Sequence, residues 1–135
     1  MSKPTILLAD DHPGFPEMVE RLLRPKFEVV GTVVDGQSLF EAAIKLKPDV
    51  IVTDISMPVL DGITTADRLK ESGCASRIVF LTVHSDPDFV RACLATGAFG
   101  YVVKSRIHAE LVTAICDALA GQLFISQHLT PLKEG

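Results

Sequence analysis

Four apolar runs in this sequence stop on polar residues of three chemical kinds. Ile6 to Ala9 runs into Asp10 and Asp11, Val50 to Thr53 into Asp54, Ile78 to Leu81 into Thr82, and Tyr101 to Val103 into Lys104. These positions supply carboxylates, a hydroxyl and an ammonium. Carboxylates brought together repel one another, so the set calls for protonation or for a cation between them. An all-oxygen site with few protein ligands suits Mg2+, a hard ion that keeps several waters and typically bridges carboxylates to phosphate oxygens. A carboxylate can also form an acyl phosphate, which makes Asp54 a candidate nucleophile. Phosphoryl transfer through a loose transition state needs mainly positioning and neutralisation of the equatorial oxygens. A metal ion, the Lys104 ammonium and the Thr82 hydroxyl fill those roles.

The residues form one site only if the fold brings the run ends together. Continuous Val/Ile/Leu runs separated by segments of helical period read as strands buried on both faces, as in a parallel sheet covered by helices. In open α/β sheets the functional crevice lies at the carboxyl ends of the strands. The first strand, about 5–9, is followed by Phe15, Met18, Val19, Leu22 and Leu23, a stripe at helical spacing entered through Pro13 and Pro16 and closed by Pro25. Phe27 to Val34 reads as a second strand, and Leu39, Phe40, Ala43 and Ile44 as the inward face of the next helix, closed by Pro48. After the third strand, residues 57–62 form a loop whose Asp61 caps a helix with Ile63, Ala66 and Leu69 inward. A helix over 86–96 follows the fourth strand, with Phe89, Ala92 and Cys93 inward and Val90 and Leu94 at one margin, stopped by Gly97. A fifth strand over 99–103 leads to a last helix with Leu111, Ala114, Ile115, Ala118 and Leu119 on one side. Five strands alternating with five helices, joined by right-handed crossovers, predict a doubly wound α/β sandwich.

With 135 residues, 47% of them hydrophobic, the chain has room for one core. A net charge of -4 without a basic stripe argues against direct nucleic-acid binding by this domain. No apolar run approaches the ~20 residues of a membrane span and no signal peptide is evident, so the expected location is cytoplasmic, without membrane contact. Cys74, Cys93 and Cys116 lack CxxC spacing and are odd in number, which points away from a disulfide framework or a zinc site.

Asp10-Asp11 after the first strand, Asp54 within Thr53-Asp54-Ile55-Ser56-Met57-Pro58-Val59-Leu60-Asp61-Gly62, Thr82, and Tyr101-Val102-Val103-Lys104 resemble a response-regulator receiver domain over residues 5–121. The resemblance implies a flavodoxin-like, five-stranded parallel sheet of strand order 2-1-3-4-5 with five helices. It implies a phosphoacceptor at Asp54 supplied by a sensor histidine kinase, in a protein that assists its own phosphorylation and dephosphorylation rather than acting as an enzyme. Asp11, Asp54 and the backbone carbonyl of Ser56 would ligate Mg2+, with Asp10 contributing through water. Thr82 and Tyr101 would be the switch residues, remodelling the surface of helix four, strand five and helix five. That surface is the expected output and a candidate homodimer face. The domain is expected over 1–122, with 123–135 as a tail or linker fragment. Ser105 after the lysine and the closing run Ala120 to Ser126 resemble receivers that precede a LuxR-type helix-turn-helix domain, which makes transcription the expected output; a free-standing receiver acting through protein contacts is the alternative.

Some residues depart from the family's commonest pattern. Ser105 stands where proline, joined through a cis bond, is usual, and Val83 is larger than the common Ala or Gly and is expected to narrow access to the site. Ser56 and His84 flank the route of an attacking water and are candidates for setting phosphoryl lifetime. His12 and His84 read as rim residues rather than metal ligands, because Mg2+ prefers oxygen. A pure interaction module with a dead site is disfavoured because no catalytic-type position is missing, and two other classes fit less well. An Asp-nucleophile phosphatase of the haloacid dehalogenase type needs a second Asp at the position of Ser56, and a flavodoxin-like FMN module needs a phosphate-cradling loop where Asp10-Asp11-His12-Pro13 stands.

Overall fold

The structure, a computed structural model, describes residues 2–129. Its centre is a parallel sheet in which strands β1 (Thr5–Ala9), β2 (Glu28–Val33), β3 (Val50–Thr53), β4 (Arg77–Thr82), β5 (Gly100–Val103) and β6 (Phe124–Ile125) lie in the order β2-β1-β3-β4-β5-β6. Helices α1 (Phe15–Leu23), α2 (Gly36–Leu46), α3 (Gly62–Glu71), α4 (Pro87–Ala95) and α5 (Ile107–Leu119) make the crossovers.

The apolar runs are explained by the two cores they serve. Successive strand residues point to opposite faces. Ile6, Leu8, Val50, Val52, Val79, Leu81 and Val102 pack with Val19 and Leu23 of α1 and with Leu111, Ile115 and Ala118 of α5. The alternate residues Leu7, Ala9, Ile51, Phe80, Tyr101 and Val103 pack with Leu39 and Ala43 of α2, Ala66 and Leu69 of α3, and Val90 and Cys93 of α4. A strand with helices on both faces has no solvent side on which to place a polar residue, so polarity appears only where the strand ends.

Helix starts follow local chemistry. The carboxylates of Asp35, Asp61 and Asp86 accept from the backbone N–H of Ser38 (2.7 Å), Thr64 (2.7 Å) and Asp88 (2.9 Å), satisfying orphan donors at the first turns of α2, α3 and α4. At the start of α1 the side-chain cap is replaced by a turn. Pro13 and Gly14 precede Phe15, Gly14 has φ 79° and ψ -18°, and the Phe15 N–H donates to the His12 carbonyl at 3.2 Å. Proline followed by a left-handed glycine is the sequence of a type II turn.

Three expectations are corrected, and the geometry after Lys104 is set. The sheet has a sixth strand, formed by residues 124–125 of what the sequence presents as a tail; a two-residue strand has no period to read. Its backbone N–H groups run from Phe124 to the Phe99 carbonyl (3.0 Å) and from Ser126 to the Tyr101 carbonyl (2.8 Å). Residues 130–135 of that tail lie outside the described residues, as does Met1. Ile44 is 43% exposed because α2 overhangs β2, the sheet edge. In α4 it is Val90, with Cys93, that is buried, while Ala92 is exposed, because docking on the sheet sets the helix phase. The Lys104–Ser105 bond is trans, and a turn of 3-10 helix over Lys104–Arg106 leads into α5. Cys93 and Cys116 sit on helices and Cys74 in a loop, all three as free thiols.

Candidate functional site

Strand order decides which run ends meet. β1 and β3 are neighbours at the point where the chain reverses direction across the sheet, the place where open α/β sheets bind ligands. Asp10 follows β1 and Asp54 follows β3, and both ladders continue into them: the Asp10 N–H donates to the Val33 carbonyl and the Asp54 N–H to the Ala9 carbonyl, each at 3.0 Å. Both carboxylates are nearly sealed, at 5% and 2% exposure. Burying two carboxylates side by side demands a cation. Lys104, at the end of β5, provides one, its Nζ lying 2.7 Å from Asp10 Oδ2 and 3.0 Å from Asp54 Oδ2.

The remaining valences are filled locally. Asp54 Oδ1 accepts from the N–H of Ile55 at 2.7 Å, and Asp10 Oδ1 accepts from the N–H of His12 at 2.9 Å. The loop after Asp54 folds back so tightly that the Gly62 N–H donates to the Ile55 carbonyl at 2.7 Å, and a Cβ on Gly62 would lie 2.1 Å from the Asp54 carbonyl oxygen. Only glycine allows that approach.

Asp11 is exposed and joins the cluster from the rim. Asp10, Asp11, His12 and Asp54 each offer one ligand atom, all within 4.8 Å of one another. Three carboxylates facing a water-accessible edge fit a hard divalent cation. His12, read from the sequence as a rim residue, is part of this cluster. Its Nδ1 lies 3.0 Å from Lys104 Nζ and 3.6 Å from Asp54 Oδ2.

Thr82 is fully buried, and its hydroxyl accepts from the N–H of His84 at 3.3 Å. Tyr101 is also fully buried and points inward, its hydroxyl donating to the His84 carbonyl at 2.7 Å. Burial pushes the Tyr101 phenol pKa upward, helped by Cys93, Asp54 and Asp86, so it remains a donor. The His84 ring stacks on Phe89 of α4 with centroids 4.2 Å apart, and its Nε2 lies 3.2 Å from Ser56 Oγ. Ser56 and His84, expected to flank one route, are thus in contact. His84 joins the end of β4 to the loop after β3, to α4 and to β5. Val83 is 64% exposed.

From the sequence, His12 is placed on the rim without its contact to Lys104, and the site roles of Phe15 and the closing segment are missed. Phe15 lies with its ring centroid 4.2 Å from Lys104 Nζ. Only adjacency to Asp10-Asp11 could have pointed to the first two. In the third case, Ser126 is fully buried, its hydroxyl accepting from the Val103 N–H at 3.0 Å and donating to Glu110. The segment therefore covers the edge of β5 next to Tyr101 and Lys104.

This arrangement of an acidic pair, a lysine and an inward aromatic at the carboxyl edge of a doubly wound sheet is that of a phosphoryl-signalling receiver. The family profile described as the response regulator receiver domain matches residues 6–116, and the chain belongs to that family. The nitrate/nitrite response regulator protein NarL of Escherichia coli (strain K12) is 38% identical over 130 residues, which cover 95% of this chain and 60% of that protein. The transcriptional regulatory protein DegU of Brevibacillus brevis is 34% identical over 131 residues, 96% of this chain and 56% of that protein. The chain thus spans less than two thirds of the length of these curated relatives. Among solved structures, a LuxR-family two-component response regulator from Aurantimonas sp. SI85-9A1 superposes with a TM-score of 0.90 at 34% identity, covering 96% of this chain and 94% of that one. The isolated REC domain of RcsB from Salmonella enterica serovar Typhimurium, solved with the phosphomimetic BeF3-, gives 0.88 at 28% identity, covering 98% and 100%. No helix among the described residues is long and apolar enough to cross a membrane.

Proposed function

We propose that this chain is the phosphoryl-accepting switch of a cytoplasmic two-component system, with Asp54 as acceptor and a sensor histidine kinase as donor. The reading is carried by the Asp10–Lys104–Asp54 contact at the β1/β3 crevice, with Nζ at 2.7 and 3.0 Å from the two carboxylates. An Asp54 oxygen attacks phosphorus, the bond from phosphorus to the donor nitrogen breaks, and its electron pair stays on the donor imidazole. Asp11, Asp54 and the Ser56 carbonyl are the proposed holders of Mg2+, with Asp10 through water. The ion, when bound, supplies positive charge to the phosphoryl oxygens. Lys104 neutralises a second oxygen, and Thr82 donates to a third after giving up its contact with His84.

The chain is a phosphoacceptor rather than an enzyme, because the covalent product stays on its own side chain. Ser56 and His84, already hydrogen-bonded to each other, are placed to govern the hydrolysing water and so the phosphoryl lifetime. Phosphorylation biases a two-state equilibrium through the Thr82–His84–Tyr101 contacts, and α4, tied to His84 through Phe89, reads the change. Relatives that are regulators of transcription support transcription as the output, through a DNA-binding domain outside this chain. A second copy meeting the α4, β5 and α5 face would contact β6 and the exposed flanks of the helices rather than the β5 edge.

The test is intact-mass analysis after incubation with acetyl phosphate, with and without Mg2+, on wild type and Asp54→Asn. One Mg2+-dependent phosphoryl adduct, lost in the variant, is expected. Absence of the adduct from the wild type, or its persistence in Asp54→Asn, refutes the assignment.

A further inference from the structure

The Lys104 side chain is largely enclosed by groups of this chain. Its N–H groups donate to Asp10 Oδ2 at 2.7 Å and Asp54 Oδ2 at 3.0 Å, and Nζ lies 3.0 Å from His12 Nδ1, which itself lies 3.0 Å from Asp10 Oδ1. The side chain is 9% exposed, and the Phe15 ring, with its centroid 4.2 Å from Nζ, completes the enclosure. A cation over an aromatic face is attracted by the ring quadrupole, and more strongly where water is excluded.

The Pro13–Gly14 turn accounts for this placement. Proline presets the first turn dihedral, and Gly14 at φ 79° takes the left-handed conformation that a type II turn requires at its second corner. The turn is closed by the Phe15 N–H on the His12 carbonyl. It presents His12 and Phe15, three residues apart, to the same ammonium. Phe15 is half-buried and packs on the core between α1 and α5, which fixes its ring. Lysine carries its charge on a flexible four-carbon stem with several rotatable bonds. Left free, that stem must be ordered when the phosphoryl group is transferred; held in place beforehand, it needs no further ordering.

We propose that Phe15 is a positioning residue for Lys104: its ring, presented with His12 by the Pro13–Gly14 turn, closes the side of the ammonium that the carboxylates leave open and holds it against Asp54 ahead of phosphoryl transfer. The kinetic consequence rests on Asp54 being the acceptor; the placement of Lys104 does not.

The experiment uses the full chain with Phe15→Leu and Phe15→Tyr. Leucine keeps an apolar side chain for the core and removes the π face, while tyrosine keeps the face. Amide NMR spectra establish that each variant is folded. Lys104 side-chain resonances, assigned by their loss in Lys104→Arg, report the ring directly. The Lys104 Hε protons are expected upfield of the other lysines in wild type and in Phe15→Tyr, and at the ordinary lysine position in Phe15→Leu. With acetyl phosphate and Mg2+, the saturating phosphorylation rate of Phe15→Leu is expected to fall by about threefold to tenfold with little change in the half-saturating donor concentration, and Phe15→Tyr to restore it. Ordinary Lys104 Hε shifts in wild type, or a folded Phe15→Leu with the wild-type saturating rate, overturn the proposal. A wild-type chain that takes no phosphoryl group refutes the acceptor role of Asp54 instead, and the Hε shifts then decide the placement of Lys104 alone.

Discussion

Glu110→Ala should release the closing segment from the edge of β5. Glu110 is 5% exposed and accepts from the Ser126 hydroxyl, from the Gln127 N–H at 3.2 Å and from Arg106 Nε at 2.6 Å. The Arg106 side chain is 37% exposed, so that contact contributes little to stability. The other two bonds end on a charged acceptor, and the Ser126 hydroxyl, fully buried, loses in the variant the one acceptor it has among the described residues. Together these losses come to about 2–4 kcal/mol against the docked segment. The segment can undock without unfolding the sheet, so global stability falls only until undocking becomes the cheaper state. The measurement is therefore local: hydrogen exchange at the N–H of Phe124, Ser126 and Val103, which bond to Phe99, Tyr101 and the Ser126 hydroxyl. A loss of 2 kcal/mol predicts exchange accelerated by about thirtyfold at these amides. Unchanged protection there in a folded Glu110→Ala would refute the clasp.

The same group gives a pH dependence of known sign. Burial works to raise the Glu110 pKa, but the hydrogen bonds from Ser126, Arg106 and the Gln127 N–H, with the Arg106 charge, outweigh it and hold the carboxyl below its ordinary 4.5. A folded-state value below the unfolded one adds stability above the unfolded pKa, and that stability is lost as pH falls through the folded value. Glu110→Gln should flatten the acid side of the exchange profile at these three amides.

Two further outcomes are expected. Gly62→Ala places a Cβ 2.1 Å from the Asp54 carbonyl oxygen and 3.2 Å from Ile55 Cα, both backbone atoms that cannot turn aside, so it should lower urea stability by about 1–3 kcal/mol and reduce the phosphoryl adduct; wild-type stability in this variant would refute the close approach. Cys93 is fully buried, and its thiol pKa is pushed up to about 12 by burial and then by the Asp61 charge, whereas Cys116 is exposed. A thiol reagent at pH 8 should modify Cys116 at once and Cys93 only when the protein unfolds, and equal rates would contradict the burial of α4 on the sheet.

What could be read from residue order was governed by local chemistry. The run Ile6 to Ala9 is apolar at every position because both sheet faces are covered, and that fact is visible without coordinates. Asp35, Asp61 and Asp86 act as caps through bonds to residues two or three positions away, and Pro13-Gly14 carries its own turn geometry, so these features belong to short stretches of sequence. The convergence of Asp10, Asp54 and Lys104 was legible for the same reason: parallel strands ending at one edge leave their next residues together whatever fills the helices.

Other features exist only across the fold. Nothing near Ser126 announces that its hydroxyl meets Glu110, sixteen residues earlier, or that Phe124 and Ile125 extend the sheet; two residues have no period, and the partner strand is β5. Val90 rather than Ala92 is buried in α4 because the sheet, not the helix, chooses the inward phase, and Ile44 is exposed because β2 happens to be an edge. His12 and Phe15 are three positions apart in a turn, but the ammonium they enclose arrives from the end of β5. The sequence by itself determined the five helices, the first five strands, the Asp61 cap and the chemical kinds gathered at one edge, because those depend on neighbours along the chain. Tertiary structure alone decided which atoms touch Lys104 and what covers β5, because those contacts join residues whose separation in the chain carries no local signal.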